Sequence, residues 1–225
     1  ERGLRAVCAE TIYGWIYRAG QKTERLWRFL TRRHARRRKR HGRTSRDTIA
    51  EKIHISQRSD DADARETVGH WEADLVICKR SRPVLVLHER KTRVTLMTRL
   101  AGKTAAETIA AMTAAFRRLD PRMRGSVTFD NDTCFARHTL LRGMLSATTY
   151  FCDAYASWQK GGVENANGRI RRWLPRDTDL DEISEADIQE IAMTINLTPR
   201  KCLAYRSPVE AFLSELGKDV EIRFA

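Results

Sequence analysis

From Gly69 onward the chain alternates with period two, and this restricts the fold more than any other feature. Trp71-Glu72-Ala73-Asp74-Leu75-Val76-Ile77 reads as a strand within a run over 70–78, and similar runs follow at 83–89 and 92–99. In the second run Val84, Val86 and His88 alternate with Leu85, Leu87 and Glu89. The Arg90-Lys91-Thr92 link is short enough for a hairpin. Strands joined this closely are antiparallel neighbours.

The period then lengthens. Thr104 and Glu107 form a capping-box signature. Ile109, Met112, Phe116 and Leu119 continue an amphipathic helix that ends at Asp120-Pro121. A strand over 125–130, a short helix over 136–144 and a strand over 147–152 come next. A helix from Gly161 to Leu174 is stopped by Pro175. Another opens at Ser184 and buries Ile188, Ile191 and Ile195. The last starts at Ser207-Pro208, buries Phe212 and Leu216, and stops at Gly217. Later strands that return through helices add parallel neighbours, so the prediction is an α/β fold with a mixed five-stranded sheet flanked by helices. This is the element order of ribonuclease-H-like folds.

The front of the chain differs. Ile12, Trp15 and Ile16 share one face of a short helix over Ala9–Arg18, and Leu26 and Leu30 mark a second helical stretch. Arg32-Arg33-His34-Ala35-Arg36-Arg37-Arg38-Lys39-Arg40-His41-Gly42-Arg43 is too charged to form a core. The division predicted is a basic helical segment over 1–43, a polar linker over 44–68 with at most one short strand, and the sheet domain over 69–225. Of the formal net charge of +13, residues 1–70 contribute 18 Lys/Arg against 9 Asp/Glu, and the remainder 24 against 20. A nucleic-acid partner is the first expectation from such a balance, and the basic run would grip phosphates by counterion release.

Other classes fall away. The five cysteines are scattered and include no CxxC pair, which argues against a disulfide framework or a structural zinc site and for free thiols in a reducing compartment. Charge alone makes an anionic membrane surface the second guess after nucleic acid, but no apolar run reaches the roughly 18–20 residues that span a bilayer, and no membrane partner is expected. The chain starts at Glu1 without Met and reads as a piece of a longer protein.

Three carboxylates carry the candidate chemistry. Asp74 lies on the first strand, Asp130 closes Ser126-Val127-Thr128-Phe129-Asp130, and Glu164 sits just inside the helix that opens at Gly161-Gly162, 34 positions later. Carboxylates on two strands and one helix can converge on hard divalent cations. Two such ions, about 3.5–4 Å apart, serve phosphoryl transfer. Arg171 follows Glu164 by seven positions, close to two helical turns, and so shares its face. Lys160, Asn165 and Asn167 are candidate DNA-strand contacts, and Trp158 a candidate for stacking. Glu72 shares a face with Asp74, which suits a supporting role, and His138 follows Asp130 closely enough to be near the site.

Several segments together resemble one group of bacterial transposases, the family of insertion sequence thirty. Gly69-His70-Trp71-Glu72-Ala73-Asp74-Leu75 is similar to its G-x-W-E-x-D-L opening, and Thr128-Phe129-Asp130-Asn131 to its second-Asp segment. Tyr155-Ala156-Ser157-Trp158-Gln159-Lys160-Gly161-Gly162-Val163-Glu164-Asn165-Ala166-Asn167-Gly168-Arg169-Ile170-Arg171 resembles its longest block. Asn196 with Pro199-Arg200-Lys201, Ser207-Pro208-Val209-Glu210, and Thr11-Ile12-Tyr13 match shorter segments.

The resemblance implies a DDE-type DNA transposase with a ribonuclease-H-like core and Asp74, Asp130 and Glu164 as catalytic and metal-binding triad. It implies two Mg²⁺ ions, with Mn²⁺ able to substitute. The expected partners are the element's terminal repeats and target DNA, engaged as a homo-oligomer in the bacterial cytoplasm at the nucleoid. Arg171, Lys160, Asn165, Asn167, Arg36, Arg37, Arg38, Lys39 and Arg40 are the expected DNA contacts. The upstream helix-turn-helix of the family is expected to be truncated here. The chain departs from the family's D-N-G-x-E-F by carrying Asp132 and Cys134. Two alternatives stand beside this reading: an inactive or truncated DNA-binding remnant, and a related ribonuclease-H-like nuclease or integrase.

Overall fold

The period-two runs pair into one sheet. The structure, a computed structural model, describes residues 7–18, 20, 23–36, 49–79, 82–154 and 156–217. Contacts divide the chain into two compact units, Glu1–Arg46 and Asp47–Ala225. In the larger, β1 (Ile53–His54), β2 (His70–Ile77), β3 (Pro83–Glu89), β4 (Thr95–Arg99), β5 (Ser126–Phe129) and β6 (Thr148–Phe151) lie in the order β1-β6-β5-β2-β3-β4. The expected antiparallel trio β2, β3 and β4 is present. β5 joins β2 in parallel, β6 joins β5, and β1 adds a sixth strand at the far edge. β1 lies in the predicted linker, which also contains the short helix α2 (Asp60–Ala64), while α1 (Ala9–Ile16) belongs to the smaller unit. Ile49, Ile55 and Ala62 are buried, so this stretch packs on the sheet.

Alternation along each strand feeds two cores. On one face Trp71, Ala73, Leu85, Leu87, Val127 and Phe129 pack against α3 (Ala105–Arg117), α4 (Thr139–Leu145) and α7 (Pro208–Leu216). On the other, Val76, Val84, Val86 and Met97 meet α5 (Gly161–Ile170) and α6 (Glu185–Leu197). The Trp71 indole N–H donates to the Met123 carbonyl at 2.7 Å, and its ring meets Phe116 edge-on at 5.4 Å. Thr104 caps α3 through the Glu107 amide, and Ser184 and Ser207 open α6 and α7 with capping boxes.

Several boundaries differ from expectation. β4 starts at Thr95 rather than residue 92, because Glu89 accepts from the Thr92 amide and hydroxyl and Arg93 turns left-handed at φ 68°. α4 starts at Thr139, preceded by a 3₁₀ turn over Thr133–Phe135. α5 ends at Ile170, because both the Trp173 and Leu174 amides converge on the Ile170 carbonyl at 2.9 Å.

In the smaller unit, α1 ends at Ile16, two residues before the expected Arg18, and buries none of its residues. The expected second helix is only a 3₁₀ turn over Leu26–Phe29. The Tyr17 hydroxyl donates to the His34 carbonyl at 2.9 Å. Arg36 is exposed, whereas Arg37, Arg38, Lys39 and Arg40 lie outside the described residues.

Candidate active site

The parallel register brings the two aspartates together. Glu72 on β2 is paired with Thr128 on β5. Two residues further along the neighbouring strands come Asp74 and Asp130, the latter just past the end of β5. Asp74 shares the sheet face of Glu72 and Val76, which is the face covered by α5.

A lysine joins them. The Lys160 ammonium lies 3.1 Å from Asp130 Oδ2 and 3.6 Å from Asp74 Oδ1, and donates to the Ala73 carbonyl at 3.1 Å. Lys160 is 4% exposed. Burial works to lower its pKa, but the two facing carboxylates outweigh it and hold the ammonium above its ordinary value. Burial raises the Asp74 carboxyl, with Lys160 opposing and Asp130 adding to the rise. Asp74 Oδ1 also accepts from the Leu75 amide at 2.9 Å, and Oδ2 from the Asn167 side-chain amide at 2.7 Å.

Glu164 is on α5 one turn after Lys160 and nearly one turn before Asn167, both of which touch Asp74. It is exposed, and among the described residues no three His, Cys, Asp or Glu side chains form a group that could hold a metal. Asp74 and Asp130 by themselves fit a cation, since their oxygens already converge on the Lys160 ammonium. The buried Asn167 Oδ1 beside them has no hydrogen-bond partner among the described residues. Carboxylate and amide oxygens are the donors that hard divalent ions take.

The position of α5 is set from below by Glu72. This side chain is 0% exposed, ion-pairs with Arg90 and accepts the Val163 amide at 2.8 Å. Gly162 makes the close approach feasible. A Cβ there would sit 2.7 Å from Glu72 Oε2 and 3.0 Å from His88 Cδ2. Arg90 in turn donates to the Ala62 carbonyl at 2.9 Å, and Arg58 donates to Thr128 Oγ1 at 3.0 Å and to Asp63. These arginines fasten the 49–68 stretch behind the site.

The remaining candidates are placed differently from one another. Asn165 is exposed on α5, and Trp158 is 75% exposed on the turn before it. The Arg171 guanidinium donates to the Ile77 carbonyl at 2.8 Å and the Leu174 carbonyl at 3.3 Å, closing the ends of β2 and α5. His138 is buried between Thr149 Oγ1 and the Ala50 carbonyl, each at 2.8 Å, and serves the packing of α4. Asp132 caps the turn after Asp130 through the Cys134 amide and ion-pairs with Lys103. Cys134 is packed in the core, where burial pushes its thiol far up.

No family model matches the chain. It is 33% identical over 210 residues to the transposase of insertion sequence element IS30A of Escherichia coli strain K12, covering 91% of this chain and 55% of that protein. It is 32% identical over 219 residues to the transposase of element IS1086 of Cupriavidus metallidurans, covering 96% and 65%. The chain thus spans between half and two-thirds of the length of these curated relatives. Among solved structures, the catalytic core domain of BIV integrase superposes with a TM-score of 0.52 at 18% identity, over 66% of this chain and 95% of that one. A chain of a simian T-cell lymphotropic virus intasome gives 0.55 at 15% identity, over 71% and 59%. These structural likenesses establish the fold, which is of the ribonuclease-H-like kind.

Proposed function

The chain belongs, over the span it covers, to the family of the IS30 transposases, and from that premise we propose that it cleaves DNA at the ends of an insertion sequence and joins them to target DNA. The observation that carries this reading is the pair Asp74 and Asp130, held on one ammonium beneath the helix that bears Glu164. Asp74, Asp130 and Glu164 would hold Mg²⁺, two ions in the full arrangement, with Mn²⁺ able to substitute. Bound there, the metal supplies Lewis-acid activation of the attacking oxygen and stabilisation of the leaving 3′-oxygen.

The chain's own residues provide placement. Adjacent parallel strands fix the two aspartates. Asn167 and the Leu75 amide orient the Asp74 carboxylate, each through a different oxygen. Glu72 holds the first turn of α5 and so the level at which Glu164 projects. A water attacks the phosphorus at the element end and releases a 3′-hydroxyl. That hydroxyl then attacks a target phosphodiester, and no covalent protein–DNA link is needed.

Asn165, Asn167 and Arg171 border the strand being cut, with Trp158 available to stack on a base, while buried Lys160, also a candidate contact, acts on the aspartates. Arg36, Arg37, Arg38, Lys39 and Arg40 engage the backbone electrostatically. The partners are the terminal repeats and target DNA, bridged by more than one copy of the chain at the bacterial nucleoid.

Labelled element ends incubated with Mg²⁺ test the reading. The expected products are 3′-hydroxyl ends and joined strands, both lost in Asp130→Asn. A binding-only role has one observation in its favour: Glu164 is exposed and completes no three-residue metal-holding group among the described residues. Retained DNA binding with no products in either protein would establish that role. Cutting without joining would assign a nuclease.

A further inference from the structure

Burying a lysine charge is costly unless carboxylates compensate it. Lys160 is 4% exposed, and its ammonium spends its donors on three oxygens of the site: Asp130 Oδ2 at 3.1 Å, the Ala73 carbonyl at 3.1 Å and Asp74 Oδ1 at 3.6 Å. Without a cation between them, the two carboxylates on adjacent strands would repel each other. The same carboxylate oxygens are those a divalent ion would take. An ammonium and a divalent ion cannot share them, because like charges a few ångströms apart in a partly buried site repel strongly.

We propose that Lys160 is a resident counter-cation: it holds Asp74 and Asp130 together in the metal-free chain and gives up its place when a divalent ion enters. Lys160 is therefore a positioning residue that sets how much metal the site requires. The inference rests on the metal-binding reading of the aspartates given above.

The test is Mn²⁺ binding by isothermal titration calorimetry to the full chain without DNA, together with thermal denaturation in the absence of metal. Lys160→Met is expected to bind Mn²⁺ about tenfold or more tightly than the wild type, because one opposing charge is gone. Its metal-free Tm is expected to fall, and Mn²⁺ to raise it by more than in the wild type. Lys160→Arg, which keeps the charge, is expected to restore both the metal-free Tm and the weaker affinity. If Lys160→Met is too unstable to handle, Lys160→Gln gives the same comparison, since it can still donate to Asp130. Equal or weaker Mn²⁺ binding by the neutral variants overturns the proposal while leaving the metal site intact, and so does an unchanged metal-free Tm. Binding by none of the proteins contradicts the metal-binding reading and this inference together.

Discussion

At the residue scale, the site depends on side chains whose partners are distant in sequence. Gly162 is a sharp case, because the atoms facing its missing Cβ belong to two buried side chains, Glu72 and His88, with little room to move. Gly162→Ala is expected to cost about 1–3 kcal/mol, read as a lower urea midpoint, and to shift α5 enough to depress strand joining. His88 gives a pH signature. Burial pushes its imidazole down to about 3 from an ordinary 6.5. The unfolded chain takes up that proton below pH 6.5 and the folded chain does not, so stability is fully present above pH 6.5 and is lost as pH falls toward 3. The loss reaches about 1.4 kcal/mol per pH unit at most. Asp74 and Glu89, raised by burial, oppose it at lower pH. Urea titrations between pH 7 and 5 should therefore show a shallower acid decline in His88→Gln than in the wild type. The strand and helix positions of the three carboxylates were legible in sequence. The burial of Lys160 was not, because a lysine beside two glycines reads as a surface cation until β2 and β5 are placed beneath it.

At the element scale, period and caps were legible wherever the signal is local. β2, β3 and α3 and the Ser184 and Ser207 starts of α6 and α7 fall close to their predicted places. β1 was legible only as the one short strand allowed within 44–68, and its parallel pairing with β6 was not, since two residues carry no periodicity. Asn196 matched a motif, but its role appears only in the fold. Its side chain donates to the Thr95 carbonyl and accepts from the Thr95 amide, both at 2.8 Å across 101 positions, as a neighbouring strand would. Asn196→Ala leaves both backbone groups of buried Thr95 unpaired, at an expected cost of about 2–4 kcal/mol. Hydrogen exchange should speed up at β4 and α6, with β5 little changed.

At the scale of the whole molecule, charge and chemistry are separated along the chain. Residues 1–46 hold 15 Lys/Arg against 3 Asp/Glu, while residues 47–225 hold 27 against 26. Nearly all of the net charge therefore belongs to the smaller unit, and the unit with the acidic site is close to neutral. Replacing Arg36, Arg37, Arg38, Lys39 and Arg40 with Gln is expected to flatten the log K against log salt slope for DNA by up to about 4, as far as each contacts a phosphate. Binding should weaken alike on element ends and unrelated duplexes.

The central claim is that Glu164 joins Asp74 and Asp130 as a metal ligand when the site is loaded. Strand joining by Glu164→Cys, with Mg²⁺ and separately with Mn²⁺, tests it most directly. A thiolate suits the softer ion better than Mg²⁺. The expected result is no joining with Mg²⁺ and partial recovery with Mn²⁺. Joining at the wild-type rate with Mg²⁺ would contradict the account and remove Glu164 from the site.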